Sequence, residues 1–308
     1  MAAAFATALL IADDDGWIED PGKPSGDVCP APGGKWISRG QIASGTGANT
    51  GSKVRFADID GDGKDDYLVV NDDGSVDAWR NTGGDHDGQA GWVAMGRIAA
   101  DTGSGPSDVI TFADIDGDGR DDYLVIGSNG QVNAWLNDGG DQDGRAGWIS
   151  RGQIAAGVGD QAEGTVVFAD INGDDRDDYL VVGRNHEVTE WENDGGDQDG
   201  RAGWIPRGQI ASGVGTSNDT VLFADVTCDK QDDYLLLGTS GELTAWRNLG
   251  GDQDGKEGWV GIGRIASGTP ADGAVQLANI NGDGLDDYLV VDQNGAVQAW
   301  TNNGGDPT

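Results

Sequence analysis

The sequence predicts an all-β fold: a five-bladed β-propeller of four-stranded antiparallel blades. Three observations predict it. The phrase Ala57-Asp58-Ile59-Asp60-Gly61-Asp62-Gly63-Lys64-Asp65-Asp66-Tyr67 returns from Ala113, Ala169, Ala224 and Ala278, at intervals of 54 to 56 residues, and a fixed period of this length marks a repeat architecture. Each period holds four short runs that alternate in polarity or are rich in β-branched residues, with no segment of helical periodicity. The last period lacks a fourth run, while one unpaired run, Trp36 to Ala43, precedes the first period. Pairing that run with the last period closes a ring and removes a sheet edge.

The first unit shows the elements in order. Val54 to Ile59 alternates and enters the acidic turn. Tyr67 to Val70 has the β-branched bias of a buried strand. Asn71-Asp72-Asp73-Gly74 is a hairpin signal, and Val76 to Asn81 is a third strand. A Gly/Asp-rich loop from Gly83 to Gly88 leads to a fourth, Trp92 to Ala99. First strands recur at Ile110, Val166, Val221 and Val275, third-strand tryptophans at Trp79, Trp135, Trp191, Trp246 and Trp300, and fourth-strand tryptophans at Trp36, Trp92, Trp148, Trp204 and Trp259. The propeller spans residues 36–308. Residues 1–20 read as a short helix and turn, and 21–35 as a linker.

Composition excludes several functions. With 54 acidic against 19 basic residues the formal charge is −35, which repels nucleic acid and anionic membranes. No run approaches the length of a membrane-spanning helix. The apolar run Met1 to Ala12 lacks the basic start of a signal peptide and reads as a helix. Cys29 and Cys228 are the two cysteines, which allow one bridge or two free thiols.

The acidic turn has the spacing D-x-D-x-D-G-x-x-D. Positions 1, 3 and 5 project oxygens inward, position 7 offers its backbone carbonyl, and position 9 closes a cage that suits calcium better than magnesium. Blade 1 supplies Asp58, Asp60, Asp62, the Lys64 carbonyl and Asp66. Blade 2 supplies Asp114, Asp116, Asp118, the Arg120 carbonyl and Asp122. Blade 3 supplies Asp170, Asn172, Asp174, the Arg176 carbonyl and Asp178, with Asp175 at a position expected to be glycine. Blade 5 supplies Asn279, Asn281, Asp283, the Leu285 carbonyl and Asp287, its two amides lowering the charge. Blade 4, from Asp225 to Asp233, places Thr227 for a carboxylate and Cys228 and Lys230 for both glycines, so an empty loop is expected there. The expectation is three to four Ca2+ sites; the plain alternative is a set of metal-free Asp/Gly turns.

These loops, each opening a blade after Phe56-Ala57 or its equivalent, resemble the FG-GAP/VCBS repeat family, which includes the integrin α-chain propeller and fungal lectins. The resemblance implies a calcium-bound propeller that is a secreted adhesion domain, a lectin or an appendage of a hydrolase. The segment Met1 to Ile18 looks like the closing helix of a fungal SGNH (GDSL-type) hydrolase. That resemblance implies an accessory domain of an esterase or lipase, with catalysis in an upstream domain.

No nucleophile elbow and no metalloprotease pattern is present. His86 and His186 read as solvated loop residues. A second acidic loop, with Asp85 and Asp87, Asp141 and Asp143, Asp197 and Asp199, and Asp252 and Asp254, reads as either a further cation site or a capped polar turn. The repeated tryptophans and the tyrosines Tyr67, Tyr123, Tyr179, Tyr234 and Tyr288 read as packing between sheets, with sugar stacking as the other use of the tryptophans. The blade-to-blade connections, Ser44–Lys53, Ala100–Asp108, Ala156–Gly164, Ser212–Thr220 and Ser267–Gly273, vary most and lack aromatic residues. The expected function is that of a secreted, calcium-binding, non-catalytic module whose partner is a glycan or glycoprotein. The alternatives are the esterase accessory domain and a protein–protein adhesion module.

Overall fold

The structure, a computed structural model, describes residues 34–47, 49–100, 108–142, 144–157, 164–198, 200–253, 255–268 and 273–305. The helix expected over 1–20, nearly all of the 21–35 linker, Cys29, Asp143, Asp199 and Asp254 lie outside the described residues. Among the described residues, twenty strands form five four-stranded antiparallel sheets, as the sequence predicts. Blade 1 is β2 (Val54–Ala57), β3 (Asp66–Val70), β4 (Val76–Asn81) and β5 (Trp92–Ala99). Blade 2 is β6 (Val109–Ala113), β7 (Asp122–Ile126), β8 (Val132–Asn137) and β9 (Trp148–Ala155). Blade 3 is β10 (Gly164–Ala169), β11 (Asp178–Gly183), β12 (Val188–Asn193) and β13 (Trp204–Ala211). Blade 4 is β14 (Thr220–Ala224), β15 (Asp233–Leu237), β16 (Glu242–Asn248) and β17 (Trp259–Ser267). Blade 5 joins β18 (Ala274–Ala278), β19 (Asp287–Val291) and β20 (Ala296–Thr301) to β1 (Ile37–Ser44) from the other end of the sequence. Ile37 stands opposite Thr301 and Ser44 opposite Ala296, which is the expected closure.

First strands stop earlier than expected. β2 ends at Ala57 rather than Ile59, because the Asp58 amide donates to the carboxylate of Asp121 in the next blade and not to the ladder. The fourth strand is the outer edge of each blade. It is bulged in all five, with a left-handed glycine (Gly40, Gly96, Gly152, Gly208, Gly263) beside the register shift, and a bulge blunts an edge that would otherwise template another chain.

The core lies between blades. Each apolar cluster draws residues from two neighbouring sheets, as when Ile42, Val297 and Leu289 of blade 5 pack with Val54 and Tyr67 of blade 1. The second-strand tyrosines are its repeated centre. Tyr67 is buried, with Phe56, Trp79 and Trp92 edge-on at 5.8, 5.6 and 5.8 Å, a T-shaped geometry that suits the ring quadrupoles. Its hydroxyl donates to the Gly295 carbonyl in the hairpin of blade 5 at 2.9 Å. Tyr123, Tyr179, Tyr234 and Tyr288 repeat this bond to Gly74, Gly130, His186 and Gly241 of the preceding blade. Replacing Tyr123 with Phe keeps the packing but orphans the Gly74 carbonyl. The expected loss is about 1–2 kcal/mol, read as a lowered urea midpoint with an unchanged slope; an unchanged midpoint would show that the hydroxyl contributes nothing.

Hairpins between second and third strands turn on a left-handed glycine in four blades, and on His186 in blade 3, at φ 67°. Cys228 and Lys230 also hold left-handed backbone, at φ 61° and 66°, where a side chain costs about 1 kcal/mol or more. Cys228 is disulfide-bonded, and the sequence holds one other cysteine, Cys29.

Candidate functional site

The acidic turn begins where the first strand leaves the ladder, and its first aspartate organises it. The Asp58 carboxylate accepts backbone N–H bonds from Gly61 at 2.7 Å, Asp62 at 3.2 Å and Gly63 at 2.7 Å. The left-handed glycines at 61 and 63 permit the tight wrap. Asp114 and Asp170 repeat the pattern, with Asp175 supplying the third amide from left-handed backbone, as its tolerance for that region allows. The ninth-position aspartate is buried. Asp66 accepts from the amides of Ile59 and Asn81, and Asp122, Asp178 and Asp287 do likewise in their blades.

In blade 1, oxygens of Asp58, Asp60 and Asp66 lie within 4.8 Å of one another. One oxygen of Asp60, Oδ1, is buried without a hydrogen-bond partner. A buried orphan acceptor among carboxylates is what a hard cation satisfies, so the residues present fit calcium. In blade 2 the gathered oxygens belong to Asp114, Asp116 and Asp118. Asp62 turns instead to the Lys64 amide at 3.0 Å and the Lys64 ammonium at 3.4 Å. Burial, with repulsion from neighbouring acids, raises Asp66 to about 7, Asp114 and Asp170 to about 6, and Asp122 and Asp178 to about 8. The same cause lifts Asp287 to about 7.

The loops of blades 4 and 5 meet part of their own charge. Arg247 donates to Asp229 at 2.9 Å, and Lys230 reaches Asp175 of blade 3 at 2.9 Å. In blade 5 Asn281 donates to Asp283, and Asn279 donates to the Gly63 carbonyl of blade 1.

Sequence reasoning missed a second role for the turn. The eighth-position aspartates Asp65, Asp121, Asp177, Asp232 and Asp286 each accept the first-position amide of the preceding blade, at 2.7–3.0 Å. Each returns its own amide to the carbonyl of that same residue. Only part of the signal was present: these five positions are aspartate in every unit, including degenerate blade 4, but so are cage positions 5 and 9, while positions 1 and 3 vary. The hydrogen bonds across the joint, not the residue pattern, set the eighth-position aspartates apart from the cage. The third-strand asparagines add to it, Asn81 bridging the Asp65 and Ile280 carbonyls.

The second acidic loop is a capped turn: Asp85, Asp141, Asp197 and Asp252 accept the amides of Gly91, Gly147, Gly203 and Gly258. His86 is exposed and 3.1 Å from Asp87. His186 is buried rather than solvated, its ring nitrogen bonded to the Val214 carbonyl.

Between blades 5 and 1 lies a cavity of about 200 Å³, lined by Tyr67, Trp79 and Trp92, by Asp85 and by Ala43–Thr46. The connections lack aromatic residues, yet the start of one faces aromatic rings of the next blade. The fourth-strand tryptophans are half-buried, and each indole N–H crosses to the preceding blade, Trp92 to the Ile42 carbonyl and Trp148 to that of Ile98.

Residues 58–125 and 114–181 match the FG-GAP-like repeat. No curated protein matches the chain in sequence. Among solved structures, it is similar to an Agrocybe aegerita lectin that recognises non-reducing terminal N-acetylglucosamine, at 19% identity over 85% of this chain and 65% of that one, TM-score 0.43. It is also similar to AofleA from Arthrobotrys oligospora, at 13% identity over 88% of this chain and 77% of that one, TM-score 0.46. A third similarity is to a Tc holotoxin pore of Photorhabdus luminescens, at 19% identity over 82% of this chain and 11% of that one, TM-score 0.44.

Proposed function

We propose that this chain, a five-bladed propeller of FG-GAP-like repeats, is a secreted, non-catalytic module that binds glycans in the clefts between its blades and calcium in its acidic turns. The observation that carries the reading is the cavity between blades 5 and 1. It sets two half-buried tryptophans, backed by the buried Tyr67, beside one carboxylate in a volume of about 200 Å³. Aromatic faces receive the C–H face of a pyranose, and a carboxylate accepts from its hydroxyls; the cavity is smaller than the roughly 300 Å³ or more typical of drug-sized ligands and suits one ring. The disulfide at Cys228 fits an oxidising compartment, and exposed calcium loops of modest charge fill at extracellular calcium levels.

A glycan array probed with the folded, calcium-loaded chain tests the reading. Retention on glycans is expected, with competition by the free sugar and weakening by Thr46→Trp, which fills the cavity from an exposed position. No retention on any glycan, with capture of a deglycosylated protein instead, would overturn it in favour of protein–protein adhesion.

A further inference from the structure

The cleft between blades 2 and 3 carries a different chemistry. It encloses about 210 Å³ and is lined by Asp116, Arg151 and Arg176, with Ile115, Leu136 and Ile154 as its apolar wall. Arg151 comes from the outer strand of blade 2, and Arg176 from the acidic turn of blade 3, so the cleft exists only where two blades meet.

The same two positions recur in every cleft, and their chemistry differs. Blades 5 and 1 contribute Arg39 and Lys64, blades 1 and 2 Met95 and Arg120, blades 3 and 4 Arg207 and Gln231, and blades 4 and 5 Ile262 and Leu285. Three of the four cations at these positions in the other clefts are paired with carboxylates. Lys64 lies 3.4 Å from Asp62, Arg120 lies 3.5 Å from Asp118, and Arg207 is paired with Glu192. The third-strand residue beside the cleft is Arg80 in blade 1, at 3.8 Å from Asp60, and Glu192 in blade 3; in blade 2 it is Leu136, which neutralises nothing. Arg176 donates its Nε–H to the Asp116 carbonyl at 3.4 Å, a neutral acceptor, and the side chain exposed to both guanidinium charges is Asp116. Two guanidinium-bearing side chains thus line one ring-sized space, in a chain of net charge −35 where cations are scarce.

We propose that this cleft binds the carboxylate of an acidic sugar, with Arg151 and Arg176 as its anion ligands. The guanidinium fork matches a carboxylate in a bidentate manner, while Leu136 and Ile115 cover an apolar face of the ring. The proposal rests on the glycan reading above.

The test is calorimetric titration of the folded chain with methyl β-glucuronide and with methyl β-glucoside, beside Arg151→Met and Arg176→Gln. These are the residues that other blades carry at Met95 and Gln231. The uronide should bind about tenfold or more tightly than the glucoside, and each variant should abolish that preference while keeping the melting temperature, since Arg151 is exposed and the Arg176 backbone is unchanged. Equal affinity for the two sugars, or a preference that survives both variants, would sink the proposal and leave glycan binding at the aromatic cleft intact. Competition by inorganic sulfate as strong as by the uronide would also sink it, as would tighter binding of an acetylated dipeptide carboxylate, which would assign the cleft to protein C-termini. Absence of all glycan retention on the array would remove the glycan reading itself.

Discussion

Stripping divalent cations from the chain should lower its melting temperature by about 8 °C, and calcium should restore it where magnesium restores little. Blades 1 and 2 gather three carboxylates each within 4.8 Å, and Asp60 holds a buried acceptor with no partner. An ion that binds only the folded state adds RT ln(1 + [L]/Kd), about 2.7 kcal/mol per site at 100 Kd. For 308 residues the unfolding entropy is roughly 0.6 kcal/mol/K, so each site shifts the midpoint by about 4 °C. Magnesium demands a tighter octahedral shell than a loop with backbone ligands supplies. Differential scanning calorimetry with and without EGTA reads the shift, and titration with a luminescent lanthanide reads the number of sites. Asp60→Asn should lose one site, and blade 4, where Arg247 already sits on Asp229, should add none. A melt unchanged by chelation would leave the acidic turns as metal-free structure.

Replacing Glu190 with alanine should stabilise the protein, more so as pH rises. Glu190 is 1% exposed on β12, between Leu180 and Gly208, and its Oε2 has no hydrogen-bond partner. The other blades place alanine there, Ala78, Ala134, Ala245 and Ala299, each fully enclosed. Burial, then repulsion from Glu192, raises the carboxyl to about 7, with Arg207 opposing; its charge also raises Asp178. A carboxyl whose folded value lies above its unfolded one binds more protons when folded. It therefore costs little near pH 4, and its penalty grows until pH passes about 7. At about 1.4 kcal/mol per unit, Glu190 costs on the order of 3–4 kcal/mol at pH 8. Glu190→Ala should then melt about 6 °C higher at pH 8 and close to the parent at pH 4.5. A variant that is destabilised at both pH values would mean that Glu190 has a partner in solution.

The fold was legible because repetition multiplies weak signals. One hairpin at Asn71–Gly74 is an ordinary guess; five copies at a fixed period, with an unpaired strand at one end and a missing one at the other, leave one closure. The strand that ran short did so for a reason a single unit does not contain: the Asp58 amide is claimed by Asp121, 63 residues on. The candidate cages were legible from spacing, because ligand oxygens at alternate positions are a local property. Spacing did not separate the candidate ligand aspartates from the neighbouring Asp65 and its equivalents, since both are carboxylates in one dipeptide and their targets lie on different blades. The cleft of Arg151 and Arg176 was hidden for the same reason. Its halves are 25 residues apart in sequence and belong to different repeat units, and a repeat compares a unit with its copies rather than with its neighbour.

The tyrosine hydroxyls and the eighth-position aspartates join each blade to the one before it, five times around. In a closed ring the angles between blades must total a full turn, so a ligand that wedged one cleft open would have to squeeze the other four. Identical stiff joints leave no slack for that exchange. Occupants of different clefts therefore cannot report to one another, and the ring is a poor vehicle for cooperativity: binding isotherms should have a Hill coefficient of about 1. What the geometry offers in its place is avidity. If the clefts bind sugars as proposed, their fixed spacing around a rigid rim would turn weak single contacts into firm attachment wherever a surface displays sugars at matching intervals, and into almost none where it does not.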